Sequence, residues 1–174
     1  MKFSIVILCL FLFATTQAAI AGEWTESIKL NFALDERDWE VGWQNKTDDM
    51  YILEFVIKGQ TVDNWKELIT FEFFPGLQRS INCTQFAEGF VQHLKQSEPN
   101  TRVTVLYSKP NDALIEWVVT GSTKNPCQDE LDRFLLGKQG IHMVHYVKKT
   151  KSLTEAERNK WIKFLESATL IEGK

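Results

Sequence analysis

The sequence lacks an excess of positive charge, which limits the partners it can bind. It carries 20 lysines and arginines against 23 aspartates and glutamates, for a formal net charge of −3 at pH 7. A nucleic-acid interface needs a basic stripe that neutralises phosphates, and no long block of like charge supplies one. We therefore expect no nucleic-acid partner.

Signatures of the common catalytic classes are missing as well. The chain has no nucleophile elbow, Walker loop, dinucleotide-binding glycine motif, zincin motif or EF-hand loop. Only three histidines occur, and none lies at metal-ligand spacing from a cysteine. These absences argue against the common hydrolases and nucleotide-dependent enzymes, and we predict no catalytic site, no metal site and no cofactor.

Long hydrophobic runs are scarce, and the longest stands at the start of the chain. Lys2 precedes the apolar run Ile5–Phe13, and a small-residue cleavage pattern, Ala19-Ile20-Ala21, follows it. This arrangement is typical of a secretory signal peptide, whereas a spanning helix needs about 20 apolar residues. We predict a signal peptide at residues 1–21 and one globular domain at 22–174. The location is then periplasmic or secreted, with no stable membrane insertion after signal removal.

Cysteine is also scarce, since the chain has three and Cys9 falls within the predicted signal peptide. Cys83 and Cys127 remain as an even pair in an exported protein, which is the usual context for disulfides. We predict that they form one disulfide, whose long loop would contribute up to about 4 kcal/mol in chain-entropy models. The alternative is two free thiols that serve metal binding or catalysis.

Alternating apolar residues predict strands along most of the chain. Helical spacing predicts two helices, one capped by Asn82 and Gln85 and one that starts at Ser152 with Glu155 in the capping box. Because short turns join neighbouring strands, we expect an α+β fold in which a largely antiparallel sheet packs against these two main helices. The predicted strands are 27–34, 39–43, 51–57, 68–74, 102–108, 113–120, 131–136 and 141–148.

A resemblance to known proteins rests on packing residues spread over most of the predicted domain. These residues are Asn64 to Thr70, the pair Glu116-Trp117, Arg133 ahead of Gly137, Tyr146, and the ending Glu155 to Leu165 with Lys160-Trp161. Together they resemble a group of small exported bacterial proteins of unknown function, and the outline is similar to the PsbP-like α/β/α sandwich. PsbP-like proteins are mostly non-catalytic accessory or interaction modules, so the resemblance implies that role here.

Two charged residues interrupt apolar rows of the predicted strands. Glu116 and Arg133 each lie between apolar residues of one strand face, so they could pair across the sheet if their strands are neighbours. A buried ion pair is costly to desolvate. The two residues therefore specify the fold, lie in a row that faces the surface, or form a polar anchor on a pocket floor, with His145 or Tyr146 nearby.

Histidines and tryptophans supply the other candidate binding residues. His145 lies three residues after His142 on a predicted strand, so the two point to opposite faces and suit one metal ion poorly. Trp39 and Trp43 are predicted to share one strand face, either as a platform for sugars or peptides or as core. Trp65, in a predicted loop, is the tryptophan that we most expect to be partly exposed.

These observations favour an exported, non-catalytic binding or accessory domain. Its partner would be an unknown small ligand or an envelope or secreted protein. One alternative is a small secreted hydrolase-like enzyme that uses Glu116, His145 and Arg133, which would require these side chains to converge in one concave site. Another alternative is a secreted factor that acts on a host or a competitor.

Overall fold

The computed structural model describes residues 24–121 and 126–172, so the predicted signal peptide and Cys9 lie outside the described residues. In the part of the chain that is described, no helix is both long enough and apolar enough to cross a membrane. The strands and helices are β1 (Glu26–Lys29), β2 (Trp39–Lys46), β3 (Tyr51–Ile57), β4 (Glu67–Pro75), α1 (Cys83–Ser97), β5 (Arg102–Lys109), β6 (Asp112–Val119), β7 (Gln128–Leu136), β8 (Gly140–Lys148), α2 (Glu155–Glu166) and β9 (Thr169–Glu172).

Seven of the strands form one antiparallel sheet in the order β2-β3-β4-β8-β7-β6-β5. Strands β2 to β4 make one meander and β5 to β8 make another. The two meanders meet where β4 pairs with β8. A separate antiparallel pair joins β1 to β9 and so brings the two ends of the described chain together.

The fold is mostly antiparallel β, with 46% strand and only two α helices in the described residues. The prediction of an α+β fold built on two main helices, and of a PsbP-like sandwich, is therefore wrong. Each helix contacts only part of the sheet. Helix α1 lies against β5, β6 and β7, and α2 lies against β7, β8 and the 3-10 turn Phe32–Leu34.

The sheet has a hydrophobic core on each face. Alternate residues of β6 belong to different cores, because side chains of a strand point in turn to opposite faces. Ile115 and Trp117 pack with α1, whereas Leu114 packs in the cluster that holds Trp161 and Phe164 of α2. The two helices therefore lie on opposite faces of the sheet.

The capping pattern was predicted correctly for one helix and misplaced for the other. Asn82 and Gln85 form the predicted capping box at the start of α1. Helix α2 begins two residues later than predicted, because its capping box consists of Thr154 and Glu157. The residue before this cap, Leu153, is buried and donates its N–H to Asp129 Oδ2 at 2.7 Å, which holds the preceding segment out of the helix.

The predicted disulfide is wrong, because Cys83 and Cys127 are both free thiols. The N–H of Cys83 donates to the carbonyl of Pro110 in the turn between β5 and β6, whereas Cys127 stands beside Gln128, which pairs with Val119 at the far end of β6. An eight-residue strand at about 3.3 Å per residue separates the two cysteines by roughly 20 Å. A disulfide requires Cα atoms within about 7 Å.

Candidate functional site

A pocket opens on the α1 face of the sheet, in the region that α1 leaves uncovered. Its volume is about 60 Å³, which is room for an ion with a few water molecules. Trp65, Phe90 and Trp117 form its aromatic walls. The polar residues that line it come from β3, β4, β7 and β8, and they are Glu54, Thr70, Glu72, Gln128, Glu130 and His145.

The strand register explains why these polar side chains meet. Asp132 of β7 lies opposite His145 of β8, and His145 lies opposite Thr70 of β4. Thr70 in turn lies opposite Glu54 of β3, which lies opposite Trp43 of β2. One row of side chains therefore crosses five strands on a single face. Its centre is polar where a sheet core is ordinarily apolar.

Carboxylates surround the ring of His145. Nδ1 lies 2.9 Å from Glu130 Oε1 and 3.1 Å from Asp132 Oδ1, while Nε2 lies 3.7 Å from Glu72 Oε2. Glu130 stands two residues before Asp132 and therefore shares its face of β7. Asp132, which is fully buried, also accepts a hydrogen bond from Trp117 Nε1 at 2.7 Å on its other oxygen.

The electrostatics of the cluster follow from its burial and its excess of acids. Burial alone lowers the pKa of His145, but the neighbouring carboxylates of Asp132, Glu130 and Glu72 outweigh this effect and raise that pKa well above its ordinary value. Burial, together with repulsion from Asp132, raises the pKa of Glu130 well above its ordinary value. Burial also raises the pKa of Glu54, against the opposing influence of His145. No lysine or arginine is among the described lining residues.

Three of these residues are placed as metal ligands would be. Glu130, Asp132 and His145 are all buried, and one ligand atom from each lies within 4.8 Å of the others. Asp132 Oδ1 and His145 Nε2 are buried and have no hydrogen-bond partner among the described residues. The arrangement can therefore accept a cation that supplies the missing contacts.

A protein-family model matches residues 27–172, which include every residue of the pocket. The chain belongs to this uncharacterised family. No curated protein matches the chain. The family match therefore supplies membership but no activity, and the chemistry has to be argued from the pocket itself.

Sequence reasoning missed the pocket because the start of β7 was misplaced. The strand was predicted from Leu131, but it begins at Gln128, so Glu130 fell outside the prediction. The signal was present in the alternation of Gln128, Glu130 and Asp132, which places three polar groups on one face. Only His145 of the buried cluster was among the predicted binding residues.

Arg133 and Glu116 lie on the sheet face opposite the pocket. Arg133 donates to both carboxylate oxygens of Asp112 at 3.0 and 2.9 Å, and to the carbonyls of Leu165 and Ala168 at 2.6 and 3.1 Å. Glu116 instead accepts two hydrogen bonds at 2.9 Å from an arginine of α2. The predicted pair across the sheet is therefore not made, and neither residue converges with His145.

Tyr146 also faces away from the pocket. Its ring stacks on Trp161 of α2 with centroids 3.7 Å apart, and its hydroxyl donates to Glu67 at 2.7 Å. These contacts attach α2 to the sheet. His142, on the same face, is fully buried and pairs with Glu26 at 3.0 Å, so the prediction that the two β8 histidines point to opposite faces is confirmed.

Trp39 and Trp43 do not share a face, contrary to the prediction. The register of β2 against β3 shifts between Val41 and Trp43, and this bulge moves Trp43 to the pocket side. A Cβ atom on Gly42 within the bulge would lie only 3.0 Å from a methyl group of Val56. Trp39 packs edge-on against Trp161, so the two tryptophans form no common platform.

Trp65 is partly exposed, as predicted, and stands at the edge of the pocket. The ammonium group of Lys149 lies 3.9 Å from the centroid of its ring, which is a cation–π contact. The Lys149 ammonium also donates to the Trp65 carbonyl at 2.9 Å. These two contacts hold the indole of Trp65 in place, although the residue lies in a loop.

Proposed function

We propose that the chain is an exported, non-catalytic binding domain whose pocket takes a small cationic ligand. The observation that carries the proposal is the concentration of acidic groups around His145: Glu54, Glu72, Glu130 and Asp132 are all buried on one sheet face. Export is inferred from the signal-peptide pattern of residues 1–21. The trio required by the hydrolase-like alternative is divided between two sheet faces, which favours the binding role.

The charge balance favours a cation over a neutral or anionic ligand. The ligand atoms of Glu130 and Asp132 lie within 4.8 Å of each other, and two unit charges that far apart would repel by about 3–4 kcal/mol at an effective dielectric constant of 20. Burial and this repulsion together raise the pKa of Glu130. Histidine offers one positive charge at most, against four carboxyl groups. A bound cation would relieve this repulsion, whereas an anion would add to it.

The size of the pocket limits the cation to a compact one. A volume of about 60 Å³ is room for an ion with a few water molecules. A metal ion or a single ammonium group fits this space. Trp65, at the rim, is where a larger ligand would extend beyond the pocket.

A thermal-shift series on the exported protein tests the proposal. Zinc chloride, magnesium chloride, methylammonium chloride and spermidine would be compared with glucose and sodium acetate. A ligand at about 100 times its dissociation constant adds roughly 2.7 kcal/mol, which raises the melting temperature of a domain of this size by about 5–10 °C. We expect at least one cationic compound, and neither control compound, to produce such a shift.

Matched variants locate the effect. Glu130→Gln removes a carboxyl group from the pocket, whereas Glu116→Gln removes one from the opposite face. We expect the first variant to lose the response to the cation and the second to keep it. An equal response in both variants, or a shift produced only by glucose or acetate, would contradict the proposal.

Export is tested separately on the full chain. We expect the exported protein to have the mass of a chain that starts at Gly22, and deletion of residues 2–21 to retain it in the cytoplasm. An exported chain that still carries its first 21 residues would contradict the predicted cleavage.

A further inference from the structure

We propose that Glu130, Asp132 and His145 form a three-ligand site for a divalent transition-metal ion such as zinc. This inference rests on the proposed function, since it names the class of cation that the acidic pocket takes. It goes further by assigning ligand atoms, outer contacts and an order of preference among metals.

The spacing of the three groups suits direct coordination. Metal–ligand bonds of about 2.0–2.2 Å in a tetrahedral site separate neighbouring ligand atoms by about 3.3–3.6 Å. His145 Nδ1 already lies 2.9 Å from Glu130 Oε1 and 3.1 Å from Asp132 Oδ1. Movements of a few tenths of an ångström would therefore convert this hydrogen-bonded cluster into a coordination shell.

The outer contacts hold two of the ligands in position. Trp117 Nε1 donates to Asp132 Oδ2 at 2.7 Å, which leaves Oδ1 facing His145 without a hydrogen-bond partner. With Nδ1 on the metal, the unpartnered Nε2 of His145 would carry the proton and face Glu72 Oε2, 3.7 Å away. A carboxylate behind a ligating histidine is a recurrent arrangement in metal sites, where it fixes the ring and raises its basicity.

The ligand set favours zinc and its neighbours over the hard cations. Imidazole nitrogen suits Zn²⁺ and Ni²⁺, and carboxylate oxygen is an ordinary zinc ligand, whereas Ca²⁺ takes six to eight oxygens and Mg²⁺ keeps several waters. Three protein ligands leave a coordination position open. The pocket of about 60 Å³ gives that position access to water or to a donor atom of a second molecule.

An organic ammonium ion is the competing occupant of the same pocket. It would be recognised by carboxylates and aromatic faces alone, and it has no need of the imidazole nitrogen that lies 2.9 Å from Glu130 Oε1 and 3.1 Å from Asp132 Oδ1. Nδ1 of His145 and Oδ1 of Asp132, which lie 3.1 Å apart, can instead both donate an electron pair to one metal ion while Nε2 carries the ring proton. The observations therefore favour the metal ion.

The test uses the full exported chain after dialysis against a chelator. Isothermal titration with Zn²⁺, Co²⁺, Mg²⁺ and Ca²⁺ measures affinity and stoichiometry, and the visible spectrum of the Co²⁺ form reports its coordination. We expect one equivalent of Zn²⁺ and of Co²⁺ to bind, with an intense tetrahedral-type Co²⁺ spectrum, and Mg²⁺ and Ca²⁺ to bind far more weakly.

Variants assign the ligands. His145→Gln is expected to weaken Zn²⁺ binding at least about 100-fold, since even an outer-shell change typically costs 10–100-fold. The matched control is His93→Gln, because His93 is exposed on α1. Glu130→Gln provides a second test if His145→Gln does not fold, and circular dichroism would establish folding in each case.

The outcomes separate this inference from the proposed function. Zn²⁺ bound with unchanged affinity by His145→Gln or Glu130→Gln would overturn the ligand assignment. Stabilisation by methylammonium or spermidine without Zn²⁺ binding would overturn the metal site but leave the cation-binding function standing. Failure of every cation to bind would overturn both.

Discussion

Replacing Arg133 by methionine tests the structural role that the fold gives to this residue. Arg133 is only 8% exposed. Its guanidinium group makes a bidentate ion pair with Asp112 and donates to the Leu165 and Ala168 carbonyls at the end of α2. Methionine fills similar space but donates no hydrogen bond. The change therefore leaves two carbonyls and one carboxylate without their partner.

The expected cost can be worked from these contacts. Removing one partner of a buried ion pair costs about 3–5 kcal/mol. The side chain of Asp112 is 26% exposed, so water can solvate its carboxylate once the arginine is gone. The cost should therefore lie at the lower end of this range. We expect a decrease of about 3 kcal/mol in the free energy of unfolding, which lowers the melting temperature by about 6–12 °C.

Urea denaturation of Arg133→Met and of the natural chain measures this difference. Arg158→Met is the control, because its pair with Glu116 is more exposed, with 31% of the arginine side chain accessible, and such pairs contribute up to about 1 kcal/mol. A loss below 1 kcal/mol for Arg133→Met would refute the reasoning. If Arg133→Met remained folded but no longer bound the cation, the earlier prediction that Arg133 is a binding residue would be supported instead.

Three further predictions concern other parts of the fold. Burial lowers the pKa of His142 below its ordinary 6.5, against the opposing effect of Glu26. Below about pH 6.5 the unfolded chain therefore takes up a proton that the folded chain does not, and the free energy of unfolding falls as the pH is lowered. In urea titrations, His142→Gln should make the free energy of unfolding less dependent on pH between pH 6.5 and 5. An unchanged dependence on pH would contradict this prediction. Burial raises the pKa of the Cys83 thiol to about 12, so iodoacetamide should label Cys127 in the folded protein and Cys83 only after unfolding. Because both thiols are free, a reductant should leave the melting temperature unchanged. Gly140→Ala should cost about 1–3 kcal/mol, because its new Cβ would lie 2.4 Å from a phenylalanine ring of β4 and from a backbone carbonyl; a melting temperature equal to that of the natural chain would refute this.

The local pattern of the chain predicted much of its secondary structure. Strand β3 runs over Tyr51–Ile57 as alternation predicted, and the Asn82–Gln85 capping box begins α1. Both depend on neighbouring residues, which a sequence displays directly. The partly exposed position of Trp65 was predicted for the same reason, since its loop has no regular apolar pattern.

Properties that depend on distant neighbours were not predicted. The fold class was wrong because periodicity shows that a helix has an apolar face but not how much of a sheet that face covers. The disulfide was wrong because an even number of cysteines says nothing about their separation, which β6 sets here. The bulge at Gly42 reversed the face of Trp43, and one extra residue in a strand leaves little trace in its composition.

The single pairing of β4 with β8 determines the order in which this chain can become compact. Glu67–Pro75 has no partner on that side until residues 140–148 are available. During synthesis, a growing chain would present this aromatic strand as an open edge, and such edges pair readily with other chains. A chain cut before β8 should therefore aggregate instead of forming half a domain.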